Sequence, residues 1–328
     1  MRILLTGGTG FLGQRLASGL MAAGHQVRAL VRLDSPRRAA MAPGVESAPG
    51  DVTDPASLER AVAGCDSVVH SAALVKMWVR DRSAFDRVNV EGLNNVVEAS
   101  RRAGVGRVLY TSSFIALGPT DGVVADESHA RRSPGFHNDY ERTKAVADRL
   151  ARDWAGRGAP LVTVYPGVVY GPGELTDGGL MTKTIRDFMR RRVPYLGTGR
   201  QRICYAFIDD VVRGHLLALD RGRPGGRYIL GGSNASYREL FEILERLTGV
   251  PAPRLHVPFW VMGSVGRLLR WRAELFGIEP MITDQVVGVY RHDWAYSSDL
   301  AVRDLGYEMT PLEEGLRRTV AWLRSLPS

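Results

Sequence analysis

Only two cysteines, Cys65 and Cys204, occur in 328 residues, and neither belongs to a CxxC pair or to a metal-ligand spacing. A disulfide framework and a structural metal site are therefore not expected, and a reducing compartment, the cytoplasm, is. Long apolar runs are missing too. Nothing approaches the roughly 18 residues of a bilayer span, and the opening MRILLTGGTG reaches glycines too soon for an export signal, so neither a stable membrane span nor export is expected. There is no internal repeat, no low-complexity tract and no recognised nucleic-acid motif. Negative charge is in deficit, with 43 Lys and Arg against 35 Asp and Glu and a net charge of +8. The excess is scattered, and clusters such as Arg190, Arg191 and Arg192, or Arg221 and Arg223, read as solvated helix faces and turns. Nucleic acid is not an expected partner.

What is present is an ordinary globular composition, 45% apolar and 24% charged, on a chain long enough for one large α/β domain or two unequal lobes. Short β-branched runs at 3–6, 26–31, 67–70, 108–111 and 161–165 alternate with helical spacing at 12–23, 56–63, 84–103 and 139–156. That alternation predicts an α/β fold with a doubly wound parallel sheet, whose ligands sit at the carboxyl ends of the strands. The boundaries expected are 1–170 for a dinucleotide-binding domain, with a strand near 227–230 returning to it from 205–232, and 171–328 for a smaller C-terminal substrate-binding lobe. One later segment, 259–276, mixes Trp260, Val261, Leu268, Leu269, Trp271 and Phe276 with Arg267, Arg270 and Arg272. Such a stripe can lie on a membrane surface, but packing on its own domain is the expectation.

The run Thr6-Gly7-Gly8-Thr9-Gly10-Phe11-Leu12-Gly13 follows the first strand and opens the first helix. Gly7, Gly10 and Gly13 mark a tight turn whose backbone can approach a pyrophosphate, with Thr9, Phe11 and Leu12 at the helix N-terminus that faces the negative charge. This is the arrangement of a Rossmann sheet. The second strand ends at Arg32, where an acid would bind the ribose hydroxyl of NAD. A guanidinium there pairs with a 2′-phosphate, which favours NADP(H), with Arg37 and Arg38 close behind. NAD(H) stays possible if Arg32 is merely exposed and Asp34 does the binding. Asp51, followed by Val52, can accept from the adenine amino group or cap a helix, although Asp54 is better placed as a cap.

Tyr140 and Lys144 stand four residues apart, hence on one face of a helix, and a cation at that spacing is expected to stabilise the phenolate and lower the Tyr140 pKa. Upstream, Thr111-Ser112-Ser113 ends a strand on the same edge of the sheet, where a hydroxyl can hold a substrate oxygen. His137 can touch substrate, but a lone loop histidine is more often exposed.

With these motifs in hand, the sequence resembles the extended short-chain dehydrogenase/reductase family, of the NAD-dependent epimerase/dehydratase type, over essentially the whole chain. TGGTGFLG, Gly50-Asp51-Val52, His70-Ser71-Ala72-Ala73, Val88-Asn89-Val90-Glu91-Gly92, YERTK, Pro166-Gly167-Val168-Val169-Tyr170-Gly171-Pro172 and Phe207-Ile208-Asp209-Asp210-Val211 carry the likeness. It implies an enzyme in which Ser113, Tyr140 and Lys144 form the catalytic triad, with Ser112 the competing serine. It also implies that Ala72, Ala73, Pro166 and Val169 border the nicotinamide and its ribose, and that Ser71 and Thr111 lie along the cofactor. Dimerisation through the helices beginning near Ala84 and Asp139 is a further implication.

Two subgroups share this machinery: sugar-nucleotide epimerases and dehydratases that retain NAD, and dihydroflavonol-reductase-like or 3β-hydroxysteroid-dehydrogenase-like ketoreductases with exchangeable cofactor. Arg32 favours the second. So does the segment Arg202-Ile203-Cys204-Tyr205, in which Arg202 is displaced from the sugar enzymes' position and Cys204 replaces their acid. Substrate walls are expected at 74–85, containing Met77 and Trp78, and at 114–117, 175–181 and 195–205. Their aromatic and aliphatic content suggests a flat or lipophilic ketone or alcohol, unless Trp78 and Phe114 simply close the core. A nucleotide sensor without turnover is disfavoured, because Tyr140 and Lys144 are both present.

Overall fold

The computed structural model describes residues 1–37, 41–76, 78–132, 135–193, 195–196 and 199–326, so Arg38 and Met77 lie outside the described residues. The first half contains β1 (Arg2–Thr6), α1 (Phe11–Ala22), β2 (Gln26–Val31), β3 (Glu46–Pro49), α2 (Pro55–Val62), β4 (Ser67–His70), α3 (Ser83–Asp86), α4 (Gly92–Arg102), β5 (Arg107–Thr111), α5 (Asp139–Gly156) and β6 (Leu161–Pro166). A π-helical turn at Arg87–Glu91 joins α3 to α4. The second half contains β7 (Val168–Tyr170), α6 (Leu180–Met189), β8 (Tyr195–Leu196), β9 (Arg202–Phe207), α7 (Ile208–Arg221), β10 (Arg227–Leu230), β11 (Ser233–Ser236), α8 (Tyr237–Thr248), β12 (Leu255–His256), α9 (Phe259–Phe276), α10 (Asp284–Tyr290), α11 (Asp299–Leu305) and α12 (Leu312–Ser325).

Runs such as Ile3-Leu4-Leu5 form strands because both faces of a parallel sheet are covered by helices, and an unbroken apolar run satisfies both. Seven strands pair in the order β10-β6-β5-β4-β1-β2-β3, all parallel. Leu4, Val68 and Val108 face Val96, Val97, Ala147 and Ala151 of α4 and α5 on one side. Ile3, Leu5 and Val164 face Leu16, Leu20, Leu219 and Leu305 of α1, α7 and α11 on the other. The helices begin where the sequence supplies caps: Asp54 accepts from the Ala56 N–H at 3.1 Å and precedes Pro55, and Asn138 accepts from the Glu141 N–H at 2.8 Å.

β10 returns to the sheet beside β6, as the sequence suggests, whereas β9 joins a separate three-stranded sheet with β7 and β11. Around that smaller sheet, Phe188, Phe207, Phe241, Leu244 and Leu316 form a second core. The expectation that α9 packs its large apolar stripe on its own domain is overturned. Met262, Gly266 and Ala273 are its buried residues, while Trp260, Leu268, Trp271, Leu275 and Phe276 are exposed. A Cβ at Gly266 would lie 2.5 Å from the Asp284 backbone nitrogen, so the closeness of the packing against α10 admits no side chain at that position.

Candidate active site

The carboxyl ends of the parallel strands meet along one edge, with Thr6 level with Leu30 and His70, His70 with Tyr110, and Thr111 with Val164. Strand order reverses between β1 and β4, so the turns after these strands diverge and open a crevice. Gly7 starts the first turn at φ +76°, and a Cβ on it would lie 2.6 Å from the Ala72 nitrogen; a Cβ on Gly13 would lie 2.0 Å from the Gly7 carbonyl oxygen. Only glycine allows both approaches. Gly10 then caps α1 without a side-chain bond, and Thr9 is half-buried beside it. Among the described residues the Leu12 and Gly13 N–H groups meet no protein acceptor. Free donors at the positive end of a helix suit a pyrophosphate, so the loop fits a dinucleotide. Phe11 differs: its N–H donates to Thr176 Oγ1 at 3.0 Å, and both residues are buried.

The turn after β4 is tied to the glycine loop through Thr6. The Ala72 N–H donates to Thr6 Oγ1 at 3.2 Å, and the same hydroxyl is hydrogen-bonded to His70 Nδ1 at 2.7 Å. Burial holds the His70 pKa down at about 3, so the ring is neutral. Ser71 and Ala73 flank Ala72, half-buried. Further along the edge, Arg32 is exposed and lies 3.7 Å from Asp34, and Arg37 is also exposed. Asp51 Oδ1 is turned onto the Thr53 N–H and hydroxyl, both at 2.8 Å, while Asp54 is the residue that caps α2. Val52 is buried against Gly92. Pro166 ends β6 level with Leu230, and Val169 pairs with Ala206.

Tyr140 and Lys144 occupy the first turns of α5. The Ser113 side chain lies near the Tyr140 hydroxyl and favours its phenolate, and Ser113 Oγ accepts from the Ile115 N–H at 3.4 Å. Ser112, by contrast, is buried beside Tyr110 without a well-formed hydrogen bond. Lys144 Nζ donates to the Thr111 carbonyl at 3.0 Å and lies 5.3 Å from the centre of the Tyr110 ring. The expected lowering of the Tyr140 pKa is not what this geometry gives. Burial pushes the phenol up to about 12, opposed by the nearby Ser113 side chain. Burial also drives Lys144 down to about 7, so the cation meant to favour phenolate is itself costly to charge.

Two buried residues hold this pair in place without having been given a role from the sequence, although Asn89 stands in the Val88–Gly92 motif. His215 Nδ1 donates to the Val211 carbonyl at 2.7 Å, so its Nε2 accepts from Thr111 Oγ1 at 3.0 Å, fixing the strand end that receives Lys144. Asn89 accepts from the Leu74 N–H at 2.7 Å and donates to Thr143 Oγ1 at 3.0 Å, joining the turn after β4 to α5. For Asn89 the motif itself is the signal, and the structure adds a π-helical turn around it; His215 offers none.

Beside Tyr140 opens a cleft of about 340 Å³, lined by Lys76, Trp78, Val79, Arg80, Arg82, Phe85, Asn138, Asp139, Arg270, Glu274 and Gln285. Six residues of the expected 74–85 segment, Trp78 among them, line this cleft. Of the other three expected segments, residues 197–198 lie outside the described residues. Phe114 packs edge-on against Trp294 at 5.8 Å in a buried cluster, Ile203, Cys204 and Tyr205 are core residues, and Thr176 in 175–181 covers α1. His137 is half-buried against His292, ring centres 4.7 Å apart, rather than exposed. α9 and α10 supply Arg270, Glu274 and Gln285, which the sequence did not place here.

A phenol on an open cleft, with a hydroxyl near it and a buried amine one turn along its helix, on a sheet edge that also carries a glycine turn fitting a dinucleotide, is the constellation of a nucleotide-dependent oxidoreductase of the Rossmann type. The comparisons agree. Residues 3–231 match the NAD dependent epimerase/dehydratase family, and the chain belongs to that family. It is 33% identical to a "Putative dihydroflavonol 4-reductase" of Synechocystis over 98% of this chain and 94% of the relative. It is likewise 33% identical to a 2-alkyl-3-oxoalkanoate reductase of Stenotrophomonas maltophilia over 98% and 99%. The crystal structure of gox2253 superposes with a TM-score of 0.81 at 32% identity, covering 98% of this chain and 97% of the other.

Proposed function

We propose that the chain is an NADP(H)-dependent ketoreductase acting on a lipophilic or flat ketone. The observation that carries this reading is Tyr140 at the wall of the cleft, with the Ser113 side chain near its hydroxyl and Lys144 one turn further along the same helix. When bound, the nicotinamide gives a hydride to the carbonyl carbon or takes one from the alcohol carbon. Ser113 would orient the carbonyl oxygen, and Tyr140 would give that oxygen its proton. A phenol pushed up to about 12 is fully protonated at neutral pH, which suits the reducing direction. Lys144, on the same helix face and held by Thr111, would reach the nicotinamide ribose, with Ala72, Pro166 and Val169 beside the ring. Gly7, Gly10, Leu12 and Gly13 would hold the pyrophosphate, Asp51 and Val52 the adenine, and Arg32 the 2′-phosphate. Trp78, Val79 and Phe85 supply apolar wall for the substrate, as the names of the reductase relatives would suggest. Two buried cysteines without a disulfide support a reducing compartment such as the cytoplasm.

A second reading, a sugar-nucleotide epimerase retaining NAD, is favoured by the cations Lys76, Arg80, Arg82 and Arg270 around the cleft. Against it, Arg202 lies off the cleft and donates to the Asn234 carbonyl. Denaturing the purified protein and identifying released nucleotide separates the two. An exchangeable site, with ketone-dependent oxidation of NADPH, is expected; tightly retained NAD without such turnover would replace the ketoreductase reading by the epimerase one.

A further inference from the structure

Helix α9 turns its large apolar side chains outward. At about 100° per residue, Trp260, Leu268, Trp271 and Leu275 fall on one face, with Val265 and Phe276 at its margin. Their exposures are 72% for Trp260, 63% for Leu268, 58% for Trp271 and 68% for Phe276, and Met281, just past the helix, reaches 85%. A contiguous apolar surface of this kind marks an interaction site rather than ordinary scatter. Cations border it. Arg267 and Arg272 are exposed on the same helix, and Arg80 lies 3.8 Å from a Cβ built on Gly277, at the end of the helix. Among the described residues none of the three has an ion-pair partner.

This chemistry selects the occupant. Indoles sit at headgroup level, leucine and phenylalanine reach the acyl boundary, and arginine stems run beside them while their guanidinium groups meet lipid phosphates. Glu274 is engaged by Arg270 at 3.1 Å and Glu279 is an exposed acid at the border, but Arg80, Arg267 and Arg272 leave that border cationic, which favours anionic lipid over a two-fold contact with a second copy. α9 does not cross a bilayer, since no helix among the described residues is long and apolar enough. We infer that α9 and residues 277–281 dock the protein on a membrane surface rich in anionic lipid, with the helix lying in the interface. Because Arg270 and Glu274 of the same helix line the cleft, docking would turn the cleft toward the bilayer and give a lipophilic ketone a short route in. That last step rests on the ketoreductase reading; the docking does not.

Co-sedimentation of the full chain with vesicles of phosphatidylcholine, with and without phosphatidylglycerol, tests the docking with neither cofactor nor ketone present. Pelleting is expected to need phosphatidylglycerol and to weaken as salt rises. Trp260→Ser/Trp271→Ser, and separately Arg267→Gln/Arg272→Gln, should each lower the partition roughly tenfold or more, with thermal melts unchanged because all four side chains are exposed. Equal pelleting of wild type and both variants, or none with either vesicle, overturns the inference. So does a dimer in sedimentation that the tryptophan substitutions dissociate, which would give the face to a second copy. Failure here leaves the ketoreductase reading standing, and an enzyme without ketone activity can still show docking.

Discussion

Tyr140 and Lys144 illustrate how burial and charge oppose one another at single residues. The phenol loses solvent and keeps its proton, so Tyr140→Phe removes the donor while leaving the Ser113 side and the dinucleotide loop in place. kcat for ketone reduction is expected to fall by roughly 10²–10⁴-fold with little change in cofactor affinity, read by steady-state kinetics and fluorescence titration. Lys144 makes a prediction about stability. Its ordinary value of 10.5 is the one the unfolded chain keeps, and the folded chain gives up the proton near 7. Between those values the unfolded state binds more protons, so stability climbs with pH, by up to about 1.4 kcal/mol per pH unit, and the burial penalty is present in full below pH 7. Urea unfolding between pH 7 and 8.5 should show this rise, and Lys144→Met should flatten it; parallel slopes would mean that Lys144 stays charged in the folded protein. Arg32 is a third residue whose role is local. If its exposed guanidinium meets the 2′-phosphate, Arg32→Ala should weaken NADPH by about 10–100-fold and NADH hardly at all. Equal losses would leave Asp34 as the ribose ligand.

At the scale of elements, the first half was legible because its signals are local. β2, β4 and α5 fall at the positions their periodicity implies, and the glycine turn and the Tyr140–Lys144 pair each depend on residues a few places apart. What could not be read is what distant segments add. Thr176 meets Phe11 across 165 positions and His215 meets Thr111 across 104, and neither leaves a pattern in its own neighbourhood. α9 was misread for a different reason: a stripe of large apolar residues usually marks the buried face, but here the close approach to α10 admits no side chain at Gly266. The Thr176 contact can be weighed. Thr176→Val keeps the shape and strands the buried Phe11 N–H, so unfolding should cost about 1–2 kcal/mol less, while Thr176→Ser should recover most of the loss. Equal stability of Thr176→Val and wild type by urea denaturation would show that the first turn of α1 does not depend on the 171–179 segment.

For the whole molecule, the expected division, 1–170 with a returning strand near 205–232 against 171–328, can be set beside the packing that joins the two halves. β6 has β5 on one side and β10 on the other, with Thr163 to Pro166 paired to Arg227 to Leu230. The face of the sheet built from Ile3, Leu5, Val162 and Val164 is closed by Ala218, Leu219, Ala301 and Leu305. Buried Glu127 reaches forward as well, accepting from the Ile229 N–H at 2.7 Å. A fragment ending at 170 would thus keep the glycine turn, Ser113, Tyr140 and Lys144 in sequence, yet open a strand edge, uncover an apolar face and leave a carboxylate unpaired. We expect residues 1–170 expressed alone to aggregate or to bind an apolar dye without a cooperative thermal transition. A monomeric fragment that melts cooperatively would make the first half a domain in its own right. Two-lobed division of labour would then hold for folding as well as for binding, and β10 with α7 and α11 would be an addition to a sheet already stable without them.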